Sequence, residues 1–119
     1  MFEWIEKLFD KYFLGSGTRS IRPKEEVAEL IRNGALILDV RTGFEAKRGI
    51  APGATNIDLL VLKRHLDELP RDRTIVTYCM SGGRAGKARD ILDRNGFTVV
   101  NGGDYRSIVE IVGKSQPAG

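Results

Sequence analysis

Cysteine is nearly absent from this 119-residue chain: Cys79 is the only one, and a single histidine, His65, accompanies it. One thiol forms no internal disulfide, so the fold must stand on its core, and one cysteine with one histidine cannot build a Cys/His metal cluster. No metal and no other cofactor is implied. A chain that does without disulfides suits a reducing, cytoplasmic setting. Long apolar runs are also missing. Nothing approaches the roughly 20 residues of a membrane span, and the early Glu3 with an interrupted apolar pattern does not suit a secretory signal. Charge of one sign is lacking as well. Nineteen Lys+Arg stand against sixteen Asp+Glu for a net charge of +3, and the basic residues are scattered. That balance tolerates anionic ligands but falls short of the basic concentration that nucleic-acid binding needs, so nucleic acid is not an expected partner.

What is present, 41% hydrophobic and 29% charged residues, fits one compact domain with a modest core. At the start, Phe2, Ile5, Leu8, Phe9, Tyr12 and Phe13 recur at helical spacing among polar residues, which predicts an amphipathic helix. Such a helix can pack on its own domain, or serve as a dimer or partner contact. Three acids against two lysines make it a poor lipid-binding face, so a membrane is not expected to be its partner. Gly15-Ser16-Gly17 reads as a joint. The expected organisation is helix and joint over 1–17, the main domain over 18–113, and a flexible tail over 114–119.

Past the joint, Pro23 followed by acidic residues opens a helix carrying Val27, Leu30 and Ile31, stopped by Asn33-Gly34. "ALILDV" is a short continuous apolar run, the pattern of a strand buried on both faces, and Asp39 marks its carboxyl end. Turn chemistry follows, with a helical turn around Phe44 to Lys47 and a short strand around Ala54 to Ile57. Leu59, Leu62, Leu66 and Leu69 then stand at helical intervals between a capping Asp58 and Pro70. "TIVTYC" is a second strand and "GRAGKARDILDRNG" a helix with Ala85, Ala88, Ile91 and Leu92 inward. "FTVV" gives another strand, and "GGDYRSIVEIVGK" a closing helix. Strands alternating with helices imply an α/β fold, with a central, mostly parallel sheet covered on both faces. Ligands bind beyond the carboxyl ends of such strands, where Asp39 and Cys79 both lie.

A strand running into "CMSGGRAG" and straight into a helix can aim the backbone N–H groups of Met80, Ser81, Gly82, Gly83 and Arg84 at one spot. Glycines permit the dihedrals this curl requires. The result is an anion nest with a helix N-terminus behind it, so a Cys79 sulfur at its centre is favoured as thiolate, with Arg84 the nearest cation. The plain alternative is an inert core cysteine. Tyr78 should face the other side of the sheet as core. Arg41, beside Asp39, can face the pocket or be held in an ion pair with Glu45, the latter being favoured. Lys87 and Arg89 read as a solvated helix face.

"CMSGGR" resembles the active-site loop of rhodanese-like domains, Cys-x-Ser-Gly-x-Arg. The likeness runs from about Ser20 to Tyr105. "LILDVRTGFEAKRGIAPGATNIDL" is similar to the signature in which Asp-Val-Arg ends a strand, a glutamate follows, and a Gly-x-x-Pro-Gly-Ala-x-Asn-Ile turn comes next. "GFTVVNGGDY" is similar to the closing Gly-Phe-x-Val-x-x-Leu-x-Gly-Gly segment. Two departures touch substrate preference: Ile50 stands where the family often has histidine, and Asp104-Tyr105 replaces a frequent tryptophan. The N-terminal helix lies outside the resemblance.

The resemblance implies sulfur transfer. Cys79 would take the outer sulfur of a small anionic donor such as thiosulfate as a persulfide and pass it to cyanide or to a thiol acceptor, small molecule or protein. Cys79 and Arg84 are then the expected catalytic residues, with Met80, Ser81, Gly82, Gly83 and Arg41 binding substrate. One alternative is a binding module or sulfur carrier on the same fold, although such modules commonly lack the cysteine. The other is a cysteine phosphatase or arsenate reductase. Their loops are one residue longer between cysteine and arginine than the four residues Met80 to Gly83 here, arsenate chemistry often uses a resolving thiol that this chain lacks, and the loop holds no aspartate to serve as general acid.

Overall fold

The apolar runs around Leu38 and Val76 become the two central strands of a four-stranded sheet, whose strands lie side by side in the chain order second, first, third, fourth, every pair parallel. The computed structural model describes residues 21–115, with side chains to Gly113. The amphipathic helix and joint expected over 1–17, and most of the expected tail, lie outside the described residues. The elements follow as α1 (Lys24–Arg32), β1 (Leu36–Asp39), α2 (Gly43–Lys47), β2 (Thr55–Asn56), a 3-10 segment (Leu59–Glu68), β3 (Ile75–Cys79), α3 (Gly83–Arg94), β4 (Val99–Asp104) and α4 (Tyr105–Ser115).

Alternation along the strands divides the core in two. Ile37, Val76, Tyr78 and Val100 face α1 and α4, meeting Val27, Leu30, Ile108 and Val112. Leu38, Ile75, Cys79 and Val99 face α3 and the 3-10 segment, meeting Leu62, Ala85, Ala88 and Leu92. Both faces of the sheet are therefore covered, as the unbroken apolar runs demand. Val27, Leu30, Leu62 and Leu92 are fully buried, each contributing about 1.5–3 kcal/mol of apolar burial. The chain leaves β1 toward one edge and β3 toward the other, so the sheet's switch point falls between the carboxyl ends of these two strands.

Three local expectations change. Pro23, with φ −55° and ψ 142°, is the cap of α1 rather than its first residue. The leucine-spaced stretch is a 3-10 segment broken at His65. Its Val61 N–H donates to the Asp58 carbonyl and its Leu69 N–H to that of Leu66. Leu62 and the capping Leu69 are buried, and Leu59 and Leu66 pack against the same cluster, so the expected apolar stripe is kept, while Leu60 beside it is 86% exposed. Finally, Gly102, Gly103 and Asp104 extend β4 instead of opening the last helix. Thr77 pairs with Asn101 but Cys79 with Asp104, so β4 carries one extra residue there, a bulge beside the cysteine. A Cβ on Gly102 would lie 2.5 Å from Val76 Cγ1 and 2.9 Å from the Thr77 carbonyl oxygen, which only glycine avoids.

Candidate active site

Cys79 ends β3 at the switch point and is 1% exposed. Its Sγ accepts the Gly82 N–H at 2.9 Å and the Ala85 N–H at 3.4 Å. Of the five N–H groups expected to aim at the sulfur, from Met80 to Arg84, Gly82 supplies the shorter contact, and the second donor is Ala85 in the first turn of α3. Gly82 caps α3 with φ +99°, a conformation that favours glycine. Met80, Ser81 and Gly83 form the outer side of the loop, with Met80 52% exposed. Tyr78 faces the opposite core cluster, as alternation predicts.

What sets Gly82 in place comes from β4 and from the chain entering α1. Buried Asn101 donates its Nδ2–H to the Gly82 carbonyl at 3.1 Å, and its Oδ1 accepts the Gly103 N–H at 2.9 Å. Ile21 pairs with Asn101 as an isolated parallel bridge, and Ile21 Cδ1 lies 2.5 Å from where a Gly82 Cβ would stand. Sequence reasoning missed Asn101. Its only signal was an amide in an otherwise apolar strand just before two glycines.

The arginines pair differently from expectation. Arg84 grips Glu45 with both ends, Nη1 to Oε1 at 2.6 Å and Nη2 to Oε2 at 3.0 Å. Glu45 is held in turn by Thr42, whose N–H and hydroxyl both donate to Oε1 while its Oγ1 accepts the Glu45 N–H, a capping box at the start of α2. The Arg84 hydrogen bonds, opposed by desolvation and helped by Thr42, hold the Glu45 carboxyl down at about 2. The spacing Thr42-x-x-Glu45 could have announced this box. Arg41 is in an ion pair, but with Asp39: Nε reaches both carboxylate oxygens at 3.0 Å and Nη2 reaches Oδ2 at 2.7 Å. Nη2 also donates to the Gly49 carbonyl at 2.6 Å. The Tyr78 hydroxyl donates to Asp39 Oδ2 at 2.6 Å and accepts the Ala51 N–H at 3.0 Å, and burial foremost raises its pKa. Arg41 lies over the Tyr105 ring, 4.6 Å from its centroid. This buried knot fixes Asp39, Arg41 and Tyr78 across β1 and β3. Arg89, expected on a solvated face, is buried and stands 3.4 Å from Asp93 Oδ2, whereas Lys87 is exposed as expected.

Two open cavities flank the loop. One, about 350 Å³, is lined by Arg41, Phe44, Arg48, Met80 and Tyr105 among others. The second, about 670 Å³, shares Met80 and Tyr105 with it and continues to Arg106. Of the expected site residues, Met80 and Arg41 border the first cavity and Met80 and Ser81 the second, whereas Cys79, buried beneath the loop, lines neither.

Fold and site together define an α/β protein with a cysteine cradled by backbone N–H groups at the switch point of a parallel sheet. The chain belongs to the rhodanese-like domain family, whose sequence profile matches residues 23–105. It is similar to a sulfurtransferase of Allochromatium vinosum, 34% identical over 52% of this chain and 58% of that one. It is also similar to the Escherichia coli thiosulfate sulfurtransferase PspE, 32% identical over 60% of this chain and 71% of the relative. The uncharacterized protein YqhL of Bacillus subtilis is 36% identical over 56% of this chain and 52% of its own. The chain thus spans little more than half the length of two of these relatives. Among solved structures, SSP1007 of Staphylococcus saprophyticus superposes with TM-score 0.66 at 29% identity, over 79% of this chain and 96% of that one. The human single-domain sulfurtransferase TSTD1 superposes with TM-score 0.59 at 25% identity, over 79% and 97%. No helix among the described residues is long and apolar enough to cross a membrane.

Proposed function

We propose that the protein is a sulfurtransferase working through a persulfide on Cys79. The thiolate attacks the outer sulfur of thiosulfate or a similar anionic donor. A new sulfur–sulfur bond forms on Sγ, the donor's bond breaks, and sulfite departs with the electron pair. The N–H groups of Gly82 and Ala85 that meet Sγ favour the attacking thiolate, and favour it again as the leaving group when the outer sulfur is passed on. An acceptor nucleophile, cyanide or a thiolate, then attacks the outer sulfur and returns Cys79 to the thiolate. This sequence holds no second cysteine, so the acceptor nucleophile comes from outside it. A reducing cytoplasm keeps such a thiol ready.

The observation that carries this reading is the pair of N–H donors converging on a cysteine sulfur in a loop of the family's form. The Arg84 guanidinium, engaged by Glu45, acts as the clasp that holds α2 against the loop and supplies positive charge near the reacting sulfur. Arg41 adds a second fixed cation beside the cavity, where an anionic donor docks. That engagement argues against a phosphatase, which needs its loop arginine on the oxyanion. Incubation with thiosulfate followed by intact-mass measurement tests the reading: one added sulfur atom is expected, absent from Cys79→Ser. No added sulfur with any sulfane donor, or turnover of an aryl phosphate instead, overturns it.

A further inference from the structure

The exposed large apolar side chains are not spread over the molecule. Among the described residues they are Ile21, Phe44, Ile50, Leu60 and Met80, and four of them gather where the strands end. Phe44, 74% exposed, lies in α2 after β1; Leu60 follows β2; Met80 follows Cys79; and Ile21 rests against Gly82 and Gly103. Phe44 and Met80 are walls of one cavity. Monomeric surfaces seldom collect apolar groups around one mouth without a partner for them.

Charge on the same rim is sorted. Its carboxylates are engaged: Asp39 with Arg41 and Tyr78, Glu45 with Arg84, Asp58 with the Leu60 N–H, Asp104 with Ser107, and Glu110, exposed on the wall of the larger cavity, with Lys24. Its cations Lys47, Arg48 and Arg106 are exposed, and Arg48 and Arg106 line the two cavities that meet at Met80 and Tyr105. A surface apolar at its centre and cationic at its edge is complementary to an acidic segment with an apolar anchor.

We propose that this rim docks the sulfur acceptor as an acidic protein segment, a cysteine flanked by carboxylates and one apolar or aromatic side chain. The inference rests on the sulfur-transfer reading and adds the identity of the acceptor. The anchor enters the cavity between Phe44 and Met80, and the carboxylates meet Lys47, Arg48 and Arg106. The acceptor thiolate attacks the outer sulfur of the Cys79 persulfide, the sulfur–sulfur bond to Sγ breaks, and its electron pair remains on Cys79 as thiolate. One persulfide is lost and one is formed, with no oxidant or reductant consumed. Two anions must approach each other in this step, and the cationic rim offsets their repulsion.

The test separates loading from transfer. The protein is charged with thiosulfate, freed of donor, and its persulfide checked by intact mass. Single-turnover transfer is then timed to a short cysteine peptide flanked by glutamates and a phenylalanine, to its lysine-substituted counterpart, and to cyanide. The acidic peptide should react faster than the basic one by roughly tenfold or more at low salt, with the advantage shrinking as salt shortens the screening length. Lys47→Glu with Arg48→Glu should reverse the preference, and Phe44→Ser should lower the ratio of the acidic-peptide rate to the cyanide rate, the cyanide rate itself reporting folding. Equal rates for the two peptides after normal loading, or an unaltered preference in the charge-reversed variant, overturn the docking proposal alone. Failure to load overturns the sulfur-transfer reading and this inference with it.

Discussion

At Gly82 three demands meet in one residue: a positive φ of +99°, a Cα so close to Ile21 that a Cβ would stand 2.5 Å from its Cδ1, and an N–H aimed at Cys79 Sγ. Alanine satisfies none of the first two. The backbone alone costs about 1–2 kcal/mol, and the displaced Ile21 adds to it. Gly82→Ala is therefore expected to lower the urea midpoint and to slow persulfide formation out of proportion to the fraction unfolded. Activity that merely tracks stability would contradict that. Asn101 acts on the same peptide group from the other side. Removing its amide in Asn101→Ala leaves the buried Gly103 N–H without its acceptor, a loss of about 1–3 kcal/mol. It also frees the Gly82 carbonyl, so sulfur uptake should fall roughly tenfold or more as the cradle drifts. Stopped-flow measurement of sulfite release gives that rate, and an unchanged rate in a folded variant shows that Asn101 only supports β4.

Helix α2 is an element of only five residues, too short to stand by its own hydrogen bonds, and none of its residues is buried. It is held by its capping box and by the Glu45–Arg84 clasp to the cysteine loop. Glu45 titrates at about 2 when folded, below the ordinary 4.5. Because the folded value is the lower one, the clasp's contribution is complete above about pH 4.5, falls as pH drops, and is gone below about 2. The pair is about a third exposed, so solvent screening limits that contribution to about 1 kcal/mol or less. Glu45→Gln should thus be less stable than the parent at neutral pH, with the gap closing as the solution is acidified through that window. Urea unfolding at several pH values measures the gap, and a difference that persists below about pH 2 would show that charge is not its source.

At the scale of the whole molecule, what was legible in the sequence was what repeats locally. Continuous apolar runs at Leu36–Leu38 and Ile75–Val76 announced strands covered on both faces, and Gly82 and Gly83 after Cys79 announced a curled loop. What was not legible joins residues far apart. Tyr78 shows its face by alternation, but nothing local says that its hydroxyl meets Asp39 from the neighbouring strand. The exchange of partners, Arg41 to Asp39 and Arg84 to Glu45, is decided by which side chains β1 and β3 bring together. The bulge at Gly102-Gly103 was hidden because glycines read equally well as a loop. The same topology ranks the strands by stability. Strands β1 and β3 each have a neighbour on both sides and bury nearly every residue, whereas β2 is two residues at the edge. Opening β1 or β3 breaks the Asp39–Arg41–Tyr78 knot and both core clusters, so their slowest amides should exchange only through global unfolding, of the order of 5–15 kcal/mol. The amides of Thr55–Asn56 and of the 3-10 segment should exchange through local openings and lose protection first. Native-state hydrogen exchange in increasing denaturant reads both classes. If β2 amides proved as protected as those of β3, the edge would be part of the central unit, and the cysteine loop would rest on a broader rigid base than the sheet order implies.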